Sequence, residues 1–68
     1  MSMKFTVIIQ KEDEWYVAKC VENDIASQGK TIEDSINNLK EAIELYYEDN
    51  TPDIQMLPAF VTTLEVAI

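Results

Sequence analysis

Apolar and polar residues alternate at the start of the chain, and this predicts paired strands. Met3 to Gln10 is rich in β-branched and aromatic residues and reads as a first strand. Lys11-Glu12-Asp13-Glu14 is wholly polar and reads as a turn, and Trp15 to Glu22 reads as a second strand. If Gln10 pairs with Trp15, then Ile9 faces Tyr16, Val7 faces Ala18 and Phe5 faces Cys20, all on one side of the hairpin. Ile8, Trp15, Val17 and Val21 fall on the other side, with Lys4, Thr6, Gln10 and Lys19. Glu22-Asn23-Asp24 turns the chain again, and Ile25 to Gln28 forms a short third strand. Gly29, the only glycine, stands where strand must turn into helix, a place for positive φ.

The pattern then changes period. Ile32, Ile36, Leu39, Ile43 and Tyr46 follow at three- and four-residue steps and form one apolar stripe, flanked by the small Ser35 and Ala42. Thr31 is the expected N-cap, with Asp34 in the capping-box position. Asn50 and Pro52 are the expected stop, giving a helix of about 19 residues and roughly 28 Å. Thr51 to Ala59 reads as a loop. Val61 to Ile68 reads as a last strand, because Leu64, Val66 and Ile68 alternate with Thr63, Glu65 and Ala67. The expectation is a single α+β domain over residues 1–68. It is an α/β sandwich in the order β-β-β-α-β, with a four-stranded mixed sheet and one helix on one face. Strand order 3-2-1-4 lets the last strand lie parallel beside the first.

Composition narrows the functional classes. Sixty-eight residues bury a thin core, and domains this small usually lean on a disulfide, a metal or a partner subunit. Cys20 is the only cysteine and histidine is absent, so a disulfide within the chain is excluded and neither a metal nor a cofactor is expected. A partner subunit remains. The formal net charge is -8, from thirteen acidic residues and five lysines. Such a field repels nucleic acid and suits a basic protein partner. No apolar stretch reaches the length of a membrane span and no signal peptide is read, so a cytoplasmic location is expected.

Catalytic chemistry finds little support. No His-based acid, base or triad is available. Cys20 has no cationic neighbour on its own face and reads as core, and nothing around Ser27 resembles a nucleophile elbow. The carboxylates cluster as Glu12-Asp13-Glu14 in the hairpin turn, Glu33-Asp34 at the positive end of the helix and Glu48-Asp49 at its negative end, and the first strand carries none. The protein is therefore not expected to be an enzyme. Glu12, Asp13 and Glu14, then Glu48 and Asp49, are the candidates for partner contact. Ile8, Trp15, Val17 and Val21, left wet by a single helix on the opposite face, are the candidates for an oligomer interface.

Trp15-Tyr16-Val17-Ala18, Ser27-Gln28-Gly29-Lys30-Thr31-Ile32-Glu33-Asp34 and Asn38-Leu39-Lys40-Glu41-Ala42-Ile43-Glu44-Leu45-Tyr46 together resemble the HicB family of antitoxin-like proteins of toxin–antitoxin systems. The likeness covers nearly all of residues 3 to 49. It departs at Val21-Glu22-Asn23-Asp24-Ile25, where the family usually has a Pro-Glu-aliphatic-Pro-Gly type sequence, and at Ser35, more often alanine. Many members continue into a C-terminal DNA-binding domain, and with the sequence running to Ile68 no such domain and no operator binding are expected here. The resemblance implies a partial RNase H-like fold without the RNase H carboxylates. It also implies a partner, a small basic RNA-cleaving toxin of the HicA type, neutralised by direct binding. The other reading is an orphan oligomeric module of the same fold with no toxin.

Overall fold

Three strands and one helix follow one another along the chain: β1 (Val7–Glu12), β2 (Trp15–Cys20), β3 (Ala26–Gly29) and α1 (Ile32–Tyr46). In this computed structural model, residues 3–48 and 57–68 are described. The sheet is antiparallel throughout, in the order β1-β2-β3, and α1 packs over β3 and β2. The fold is α+β.

The hairpin reaches further than expected. Glu12, not Gln10, pairs with Trp15, and Gln10 lies opposite Val17. The turn shrinks to Asp13–Glu14 because Asp13 takes a φ of 55°, a conformation Asp tolerates better than most residues. The register moves by an even step, so each side chain keeps its face. Val7 and Ile9 still share theirs with Ala18 and Cys20. The pairing continues below β1, where Val21 N–H donates to Thr6 O at 2.8 Å. Thr6 N–H then donates to Glu22 Oε1, also at 2.8 Å, and Cys20 Sγ–H approaches the same oxygen at 3.6 Å. One carboxylate thus satisfies a main-chain donor and a buried thiol. The Thr6 N–H, foremost, holds the Glu22 carboxyl below its ordinary value, while burial pushes the Cys20 thiol up.

The second turn is built from side chains. Asn23 Oδ1 accepts from Ile25 N–H at 3.0 Å, and Asp24 takes a φ of 61°. Cys20 N–H closes the loop on Ile25 O at 2.8 Å. The third strand begins and ends one residue later than read from the sequence, at Ala26 and Gly29.

Gly29 is needed for a different reason than its φ, which is not positive. A Cβ there would lie 2.6 Å from Ser35 N, 2.7 Å from Asp34 Cβ and 2.8 Å from Asp34 C. The first turn of α1 rests directly on the glycine. Thr31 caps that turn as expected, its Oγ1 accepting from Asp34 N–H at 3.0 Å. The helix has 15 residues rather than about 19 and ends where Tyr47 N–H bonds Ile43 O at 3.1 Å. No basic residue stands in its last turn to favour extension, and Asn50 and Pro52, the expected stop, lie outside the described residues.

This seat turns the helix. Ser35, expected on the flank, is fully buried, its Oγ–H bonded to Ile32 O at 2.7 Å. Leu39 is buried with Ala18 and Cys20, and Phe5, Val7, Ile9, Ile25 and Ile43 pack around them. Ile32, Ile36 and Tyr46, expected in the core, are instead 50%, 42% and 61% exposed. Tyr47 takes the place expected of Tyr46. Its ring stacks on Phe5 with centroids 6.2 Å apart, and its hydroxyl accepts from Asn23 Nδ2 at 3.3 Å.

Residues 57–68 form no strand. Leu64, Val66 and Ile68, expected to be buried beside β1, are exposed, as are Phe60 and Val61. Period-two alternation records which face of a strand wants cover, not which edge it pairs with.

Two outcomes test this packing. Gly29→Ala forces backbone apart at the helix seat, and by the usual cost of overpacking it lowers stability by about 2 kcal/mol, a Tm fall of roughly 8–16 °C for a domain of this size. Thermal unfolding followed by circular dichroism reads it, and an unchanged Tm contradicts the close approach. The Glu22 carboxyl is depressed in the folded state, so its stabilisation is complete above its ordinary value near 4.5 and is lost as pH falls through the lower folded value. Glu22→Gln therefore melts below wild type near neutral pH, and the two curves converge in acid. A constant gap at all pH values contradicts the assigned role.

Candidate functional site

The acidic hairpin turn stands clear of the sheet. Glu12, Asp13 and Glu14 are all exposed, and Asp13 takes a left-handed conformation in the tight bend that they share. The strand pairing that sets Tyr16 against Gly29 brings the start of α1 to this same end. Glu33 and Asp34, exposed in its first turn, therefore stand at the same end of the sheet as the hairpin carboxylates. In the sequence alone they mark only the positive end of the helix. What it lacked was the pairing of β2 with β3, which folds positions 33 and 34 back toward the hairpin tip.

Two lysines temper this end, and both are drawn onto rings. Lys11 Nζ lies 5.8 Å from the Tyr16 ring centroid, and Lys30 Nζ lies 5.8 Å from that of Trp15. Neither lies within ion-pair distance of a carboxylate among the described residues. The ion pair found among the described residues is Lys19–Asp24, at 3.6 Å and well exposed, which contributes little to stability.

Glu48 is exposed just past the helix, at the opposite end of the sheet, where Tyr47 meets Phe5 and Asn23. Asp49 lies outside the described residues. The structure therefore brings Glu12, Asp13 and Glu14 together and does not bring Glu48 to them.

The helix-free face carries Ile8, Trp15, Val17 and Val21 as read from the sequence. Trp15, Val17 and Val21 follow one another along the β2 side with Lys19 between the last two, and Ile8 sits directly across from Lys19. Ile8, Trp15 and Val21 are each about 40% exposed (39%, 41% and 41%), whereas Val17 is half-buried. Beside Val17 a shallow hollow of about 240 Å³ is lined by Ala26, Ser27 and Gln28. The patch is apolar but broken by Lys19 and roofed at one end by Lys30.

A second apolar surface had no signal in the sequence beyond the stripe itself. Because α1 sits over β3 and β2, a groove of about 510 Å³ opens between the helix and the β1 side of the sheet. Met3, Phe5 and Val7 form its floor, and Ile36, Leu39 and Ile43 its wall.

Cys20 is buried and held as a thiol. Among the described residues no group of three His, Cys, Asp or Glu side chains is placed to hold a metal ion. No described helix is long and apolar enough to cross a membrane.

Comparison with known proteins adds a lineage. The chain is 43% identical over 56 residues to the UPF0150 protein ssr1765 of Synechocystis sp. (strain ATCC 27184 / PCC 6803 / Kazusa), an alignment covering 79% of this chain and 71% of that protein. No solved structure matches. Residues 4–58, which take in the whole hairpin, β3, α1 and the wall and most of the floor of the groove, match a family of unknown function, DUF7387. The chain belongs to that family.

Proposed function

We propose that this protein is an antitoxin-like inhibitor that neutralises a small, basic, RNA-cleaving protein of the HicA type by binding it directly in the cytoplasm. The observation that carries the reading is the acidic end of the sheet. Five exposed carboxylates (Glu12, Asp13, Glu14, Glu33 and Asp34) gather there, while the nearby Lys11 and Lys30 lean on aromatic rings. A ribonuclease must hold phosphates with cations, and an acidic surface on a rigid hairpin competes for them. The sequence resemblance to HicB proteins points the same way. The accompanying fold reading is a partial RNase H-like sheet in which the open edge of β1 receives a fourth strand.

The helix-free face is proposed as a contact between copies. Ile8, Trp15, Val17 and Val21 supply half-exposed apolar area around a tryptophan anchor, and two-fold pairing is the commonest way to cover such a patch. The alternative, an orphan oligomeric module without a toxin, draws on the half-covered helix stripe, which calls for protein cover whether or not a toxin exists.

The steering role is tested with the combined Glu12→Gln, Asp13→Asn and Glu14→Gln variant against the product of an adjacent short, basic reading frame. Association slows about 10-fold at low salt and converges on wild type at high salt, while dissociation changes less. An unchanged association rate across salt removes the hairpin from the steering surface, and failure of the two proteins to bind at all overturns the antitoxin reading.

For the copy contact, sedimentation of Val17→Glu should show loss of one two-fold contact relative to wild type, because like charges would then meet in a buried interface. An unaltered mass places the contact elsewhere.

A further inference from the structure

We propose that the groove between α1 and β1 is a docking site for residues 60–68 of a second copy of this chain, so that two chains exchange C-terminal arms. The inference does not depend on the antitoxin reading and uses a different surface from the helix-free face.

The groove lacks the cover its residues call for. Ile36 is 42% exposed on its wall, and Phe5 and Val7 are only partly covered on its floor. Among the described residues β1 has a strand partner on one side alone, β2, so its other edge presents unpaired main-chain donors and acceptors beside that floor. An added strand would meet both needs together. Its main chain would pair with β1, and its alternate side chains would enter the groove under the helix.

The arm is the complement. Leu64, Val66 and Ile68 project at strand spacing with Thr63, Glu65 and Ala67 between them. They are 85%, 60% and 116% exposed, so most of their apolar area is left in water. Nor does the arm fold back onto its own groove. The Cα radius of gyration is 13.6 Å with a longest extent of 45 Å, whereas a compact chain of this length has about 11 Å. A segment patterned as a strand, held off its own body and matched to an open edge on that body finds its partner on an identical neighbour. Two-fold exchange fills both grooves with both arms and leaves neither chain with a spare.

Sedimentation of the full chain, wild type against Leu64→Asp with Val66→Asp, tests this. Both positions are exposed within their own chain, so folding should survive, and a matching circular-dichroism spectrum checks it. The wild type should be oligomeric at micromolar concentration, and the arm variant should lose one two-fold contact, with weakening of about 100-fold. Ile36→Glu on the groove wall should have the same effect. Mixing the two variants should restore association, because the intact arm of one meets the intact groove of the other. Val17→Glu should leave the arm contact in place. A monomeric wild type overturns the proposal and places the arm in its own groove or on a different protein. An oligomer indifferent to both the arm and groove variants overturns it equally, and assigns association to the helix-free face.

Discussion

The first turn of α1 comes to rest where the sheet offers no side chain. Gly29 provides that place, and the approach of Ser35 N and Asp34 to within 3 Å of where a Cβ would stand fixes the entry of α1 to one spot. Much else follows. Thr31 must cap immediately, Ser35 must be small enough to bury, and its hydroxyl must find a local acceptor in Ile32 O. With its first turn fixed at the edge strand β3, the helix covers β3 and β2 and leaves the β1 side open. The groove is the geometric remainder of a glycine contact at the far side of the sheet.

The same seat explains why the buried core is small. Ala18, Cys20 and Leu39 are the fully buried apolar residues, and a serine shares the space with them. Polar seams support the margins of this core. Glu22 holds Thr6 at the foot of the hairpin, and Asn23 ties the second turn to Tyr47 at the end of the helix. These are connections between distant parts of the chain, 16 and 24 residues apart. They act where apolar cover runs out.

Local pattern made the elements legible, and tertiary contact decided what pattern could not. Alternation placed Val7, Ile9, Ala18 and Cys20 on one face correctly even though the pairing was two residues off, because an even slip preserves faces. The slip itself came from Asp13, whose left-handed turn has no hydrophobic signature. The helix stripe was read by its most apolar residues, which pointed at Ile32 and Ile36. The glycine seat instead drew in Ser35, which hydropathy would assign to the flank. Tyr46 and Tyr47 were separable only by the position of Phe5 and Asn23. The hairpin carboxylates were evident as a polar run, but their union with Glu33 and Asp34 required the β2–β3 pairing. The last segment alternates like a strand, yet residues 57–68 form none, because alternation alone names no edge to pair with.

The two edges of the sheet are not alike. β3 is four residues long, runs straight into the helix cap, and has its Gln28 carbonyl occupied by the Asn38 amide at 2.8 Å. A neighbouring strand finds little to hold there. β1 offers six residues and an adjacent apolar floor. A sheet with one blunt edge and one receptive edge can accept a strand on one side alone, so pairing cannot run outward from both edges at once.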